Sequence, residues 1–135
     1  MPDRAFIDTN VFVYLNTDTE PDKIDKARVV INRYDCVVST QVANELCNVL
    51  TKKFSRKAEE VDEIISVMKA VCDIVHLTLE TTKKALVIHE RYGYSFYDAL
   101  ILAAALESNC KYVISEDLQS GQIIEGKLTI INPFG

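Results

Sequence analysis

Tryptophan is absent from this chain, and its 135 residues include only three prolines and four glycines. With so few breakers there is no linker, low-complexity tract or repeat to divide it. Histidine is nearly missing too. His76 and His89 fall on different expected elements, and neither pairs with a cysteine at zinc spacing, which argues against a zinc site. Cys36, Cys47, Cys72 and Cys110 contain no C-x-x-C pair, and each lies in or beside an apolar stretch. They read as reduced core thiols of a cytoplasmic protein rather than as a disulfide frame. No apolar run approaches the roughly 20 residues of a membrane span. The longest, Ala99 to Leu106, is bounded by Asp98 and Glu107 and reads as a buried helix, so no membrane partner is expected. The opening MPDRAFIDTN has no apolar h-region or small-residue cleavage site, so no secretory signal is expected. A basic surplus is also lacking. The net charge of −5 argues against a strongly basic nucleic-acid coat. It leaves room for a nuclease, whose metal-binding carboxylates are themselves negative.

What is present is ordinary for a soluble globular protein, 48% apolar and 26% charged, and its length suits one domain over residues 1–135. Short apolar segments rich in Val and Ile predict strands at 4–8, 36–40, 73–77, 112–115 and 128–131. Helical stripes lie between them: Ile24, Ala27, Ile31 and Tyr34; then Val42, Leu46, Val49 and Leu50; then Val61, Ile64, Ile65 and Met68. Pro21 suits the first turn of the first helix. Gly93 suits the end of another over 79–92, and a further helix is expected over 95–108. Strands alternating with helices imply right-handed crossovers and a mainly parallel sheet with helices on both faces.

Against this pattern four acids stand out. Asp8 closes the first strand, Glu45 follows the second, Asp98 opens the last long helix and Asp117 follows the fourth strand. Ligands of such folds bind beyond the carboxyl ends of the strands, where at least three of these acids gather, and Asp98 reaches them if its helix starts there. Each sits beside residues a core would claim, and gathering buried anions costs several kcal/mol apiece unless something neutralises them. A bound divalent cation would do so. Taken singly, each acid has a plainer reading. Asp8-Thr9-Asn10 is a good polar turn, and Ser95-x-x-Asp98 resembles a capping box. Glu45 lies next to an apolar stripe, and Asp117 could be a loop acid. The coincidence of all four favours a site.

The chain resembles the PIN-domain family, and within it the small VapC-type toxins. The resemblance runs through IDTNVFVY, STQVANELCNVLTKKF, SFYDALILAAALESNCKYVISEDLQSG and the last strand leading to NPFG. It implies an α/β fold, a three-layer α/β/α sandwich with a mainly parallel central sheet, and a divalent-metal-dependent endoribonuclease using Mg²⁺ or Mn²⁺. It carries the acidic site onto Asp8, Glu45, Asp98 and Asp117, with Thr9, Asn10 and Ser115 in supporting positions. Its spacing after Ser115 favours Asp117 over the neighbouring Glu116. It also implies an RNA substrate, a small antitoxin partner and a homodimer. The alternative is a PIN-like binding module that holds metal without cleaving.

Rival enzymes lack their motifs. There is no G-x-x-x-x-G-K-[ST], and Asp-Thr-Asn stands where a dinucleotide-binding G-x-G-x-x-G would begin. An aspartyl-phosphate enzyme wants a second Asp two residues after the first, and Asn10 is there instead. Lys52, Lys53, Arg56 and Lys57 could hold phosphates, or simply solvate a helix end. Tyr92, Tyr94, Phe96 and Tyr97 around Gly93 could stack on bases, although core packing is the expected use.

Overall fold

In the computed structural model, which describes residues 1–135, the elements alternate along the chain. They are β1 (Arg4–Ile7), α1 (Thr9–Leu15), α2 (Pro21–Arg33), β2 (Asp35–Ser39), α3 (Thr40–Lys52) and α4 (Ala58–Val71). The second half holds β3 (Asp73–Val75), α5 (Leu79–Tyr92), α6 (Phe96–Glu107), β4 (Tyr112–Ile114), β5 (Ile123–Ile124) and β6 (Leu128–Ile131). The helix boundaries have local causes. Pro21 occupies the first turn of α2, where a missing N–H costs nothing. Ser39 caps α3 by accepting from Val42 N–H at 3.4 Å. Thr78 and Thr81 exchange hydrogen bonds at the start of α5, and Gly93 ends that helix with φ of +78°, a conformation glycine adopts without strain.

The strands order as β3-β2-β1-β4-β6-β5. All neighbours are parallel except β5 with β6. Right-handed crossovers fix the layers. The path β1 to β2 to β3 steps one way and carries α1 to α4 over one face. The return from β3 to β4 steps back across the sheet and carries α5 and α6 over the other. This is a mostly parallel α/β fold with helices on both faces, as the sequence implies. Ala5, Phe6 and Ile7 of the central β1 are wholly buried. Ala99 through Ala105 of α6 are buried in unbroken succession, which explains why that helix shows no amphipathic period.

The expected elements are found with corrections. The first, second, third and fourth strands each end earlier than the apolar runs suggest, because Asp8, Thr40, Leu77 and Ser115 lie outside them. Asp8 caps α1, a helix absent from the sequence reading, and Thr9 and Asn10 are its first residues rather than a turn. Strand β5 was also unexpected, since two residues carry no periodicity. Tyr97 departs from the core-packing expectation, with 67% of its surface exposed.

Candidate active site

β1 and β4 lie side by side, but the helices that follow β1 and those that precede β4 cover opposite faces. Their carboxyl ends therefore flank an open crevice, the usual ligand position in a parallel sheet. Asp8 and Ser115 are the first residues beyond these two strands. The Asp8 N–H donates to Ile114 O at 3.0 Å, which holds the two strand ends together.

Asp8 is 6% exposed, and both of its oxygens are engaged. Oδ1 accepts from Thr9 N–H at 2.7 Å, and Oδ2 accepts from the buried Ser115 hydroxyl at 2.7 Å. Burial pushes the Asp8 carboxyl up to about 6, with the charges of Glu45 and Asp117 adding to the rise against the two hydrogen bonds. Glu45, half-buried on α3, accepts from Thr9 Oγ1 at 2.9 Å and from Gln41 Nε2 at 2.9 Å. Asp98 sits in the first turn of α6, where Ser95 Oγ accepts from its N–H at 3.2 Å. Its carboxyl is also raised, first by burial and then by the charges of Asp117 and Glu45. Asp117 is exposed and accepts from Asn10 Nδ2 at 3.1 Å, while its N–H donates to Ser115 Oγ at 3.1 Å. All four acids thus meet around one crevice, and Thr9, Asn10 and Ser115 are the groups that orient three of them. The cap on Asp98 and its place beside the other acids coexist, because the cap bond is made by its backbone N–H; the Ser95 side chain also favours the charged carboxylate, against burial and the neighbouring acids.

None of the four carboxylates belongs to any of the nine ion pairs of the chain. Their neighbour Glu116 does. Its carboxylate accepts from Lys23 Nζ and from the Tyr14 hydroxyl. Partial burial opposes the Glu116 charge, but Lys23 and Tyr14 outweigh it and hold the group below the usual carboxylate range. Glu116 is therefore neutralised from within, and its N–H meets Asn10 Oδ1 at 3.4 Å. Sequence reasoning missed Tyr14, Lys23 and Gln41. Tyr14 and Lys23 gain a part only through Glu116, far away in the chain, so no local signal could have found them, whereas Gln41 stands four residues before Glu45 on the same helix, a spacing the sequence does show.

The donor set suits a hard divalent cation: several carboxylate oxygens, no competing ammonium or guanidinium, and no sulfur or imidazole. The side chains do not close into a ready-made cage of three ligands. Asp8 and Glu45 are instead held open by hydroxyl and amide donors. The basic residues lie further along α3 and beyond. Lys52 is two turns from Glu45 on the same helical face. Lys53 and Lys57 are exposed. Arg56 is committed to Asn16 O at 2.8 Å and lies 3.9 Å from Glu60.

Comparison with known proteins agrees with this fold. No curated protein sequence matches the chain significantly. Among solved structures, a toxin–antitoxin complex from Klebsiella pneumoniae superposes with a TM-score of 0.71 at 18% identity, covering 96% of this chain and 97% of that one. A sarcin-ricin loop cleaving VapC toxin from Mycobacterium tuberculosis gives 0.69 at 18% identity, covering 84% and 91%. A VapBC complex from Rickettsia felis, bound to a DNA fragment from its promoter, gives 0.67 at 17% identity, covering 96% and 99%. At these identities the likeness speaks for the fold. The profile of the PIN domain matches residues 5–122, which spans both strands of the crevice and all four of its acids, and the chain belongs to the PIN domain family.

Proposed function

We propose that residues 1–135 act as one divalent-metal-dependent endoribonuclease domain, the toxin half of a toxin–antitoxin pair. The observation that supports it most is the crevice between β1 and β4, where burial, and then the charges of Glu45 and Asp117, raise the proton affinity of Asp8 and Asp98, and none of the four acids is ion-paired with a cation of the chain. Asp8 and Asp98 would hold the ion, Glu45 would hold it or orient the attacking water, and Asp117 would complete a second position. Held there, Mg²⁺ or Mn²⁺ would supply an activated water and neutralise charge developing on the phosphodiester. The chain's own part is orientation. Ser115 and the Thr9 N–H fix the Asp8 carboxylate, Thr9 Oγ1 and Gln41 fix Glu45, and Asn10 fixes Asp117. Lys52, Lys53 and Lys57 are the cations free to meet phosphates leading away from the crevice, an electrostatic contact without sequence information.

An antitoxin reading draws support from an apolar groove of about 550 Å³ between α1, α2 and α4, lined by Phe12, Leu15, Ile31, Ile64 and Met68. Its rim exposes Val67 at 62% and Val71 at 51%. A homodimer is part of the same proposal.

The test is cleavage of a mixed small-RNA pool in Mg²⁺, Mn²⁺ or EDTA, with parent and Asp8→Asn purified side by side. Cleavage that needs metal and disappears in the variant is expected. No cleavage by either preparation, once any bound partner has been removed, points to a PIN-like module that binds without cutting.

A further inference from the structure

One aromatic side chain beside the acidic crevice has no evident part in the fold. Of the six tyrosines, Tyr97 alone is exposed. Tyr14, Tyr92 and Tyr94 are partly buried and direct their hydroxyls to Glu116, Glu125 and Gln122. A single exposed ring is unremarkable by itself, but three features set this one apart.

The first is place. Tyr97 precedes Asp98 in the opening turn of α6, at the rim of the crevice. The second is a shared tether. Gln41 Nε2 donates both to Glu45 Oε1 at 2.9 Å and to the Tyr97 carbonyl at 3.1 Å. One amide thus fixes the spacing between an acid of the crevice and the backbone that carries the ring. The third is bracing. Phe96 meets the Tyr97 ring edge-to-face, with centroids 5.6 Å apart and planes at 77°. The ring is held by a neighbour while most of its surface stays open to solvent.

Charge says what such a ring is for. Four carboxylates repel the phosphates of an approaching nucleic acid, and the whole chain carries −5. The cation and Lys52, Lys53 and Lys57 offset this in part, and an interaction indifferent to that sign adds binding that no charge opposes. Stacking of a base on an aromatic face is one, and it tolerates any base identity. It also selects by structure, because a base inside a duplex already has both faces covered, whereas an unpaired base has one to offer. We propose that Tyr97 is the stacking platform for an unpaired base next to the phosphate presented to the crevice, and so a specificity-determining residue. This rests on the ribonuclease reading for the phosphate, while the stacking contact itself has a separate readout.

That readout uses Tyr97→Phe, Tyr97→Leu and Tyr97→Ala, each checked for an unchanged melt. Binding is followed by quenching of a fluorescent purine analogue placed along a short single-stranded RNA, in an Asp8→Asn background. Quenching is expected at one position with tyrosine or phenylalanine, and is lost with leucine or alanine. Affinity should fall roughly tenfold to hundredfold. In the cleaving chain Tyr97→Leu and Tyr97→Ala should raise KM by a similar factor with kcat little changed, and should erase preference for the single strand over its annealed duplex, while Tyr97→Phe keeps both. Equal quenching with tyrosine and leucine, or none with any chain, overturns the platform. So does cleavage by the parent with KM unchanged in Tyr97→Leu, and the ribonuclease then stands. Position-specific quenching by a parent that cleaves nothing would retire the ribonuclease and keep the platform.

Discussion

Asp8 holds a proton more tightly folded than unfolded, because its carboxyl is raised from 3.8 to about 6, chiefly by burial. The stability this contributes is complete below the unfolded value and is lost as pH rises through the folded one. Asp98 is raised as well and acts in the same direction. For Asp8, a shift of about two units corresponds to roughly 3 kcal/mol between the two limits. In chelator, Asp8→Asn should therefore gain Tm relative to the parent as pH climbs from about 4 to about 7, since asparagine removes the buried charge and still suits the cap of α1. Paired thermal melts across that range would show it. A difference that stays flat with pH would mean the Asp8 charge is already answered. The four acids stood out in the sequence because each sits beside residues a core would claim. Which of Glu116 and Asp117 faces the crevice was not legible from the residues alone, since the answer depends on Lys23, a residue on a distant helix.

At the scale of elements, the turn after β4 is tied to α1 and α2 by long-range contacts alone. Lys23 of α2 reaches Glu116 and lies 4.7 Å from the centre of the Tyr14 ring, while Phe134 near the chain end packs edge-on against the same ring at 4.9 Å. Such a partly exposed ion pair contributes little to stability. Its larger effect should be on where Asp117 rests. Lys23→Ala is expected to lower Tm only slightly while weakening Mn²⁺ binding several-fold, with Lys23→Arg recovering most of the loss. Calorimetric titration measures this, and unchanged binding in Lys23→Ala would reduce the pair to surface decoration. Helix α5 could be read from the sequence because Thr78 and Gly93 mark its two ends locally. Helix α1 could not, because its cap is Asp8 itself, and an acid closing a strand looks the same as an acid opening a seven-residue helix.

Over the whole molecule, strand order is what turns scattered acids into a site. Residues beyond β1 and β4 come together only because β4 returns to the free side of β1 after the chain has built β2 and β3 outward. Alternation in the sequence fixes a parallel sheet but not that order, so the crevice between these two strands becomes visible only in three dimensions. A free nuclease of this kind should arrest growth of cells that express it alone, and Asp8→Asn should abolish the arrest at equal protein level. Unimpaired growth with abundant folded parent would remove the toxin role. The sheet's two borders carry a further consequence. It ends in short strands, three residues in β3 and two in β5, with β5 turned antiparallel. Neither border offers a long row of vacant backbone donors and acceptors onto which another chain could add. The protein should therefore resist fibrous self-association when concentrated, and a change that lengthens β5 would be the place to lose that resistance.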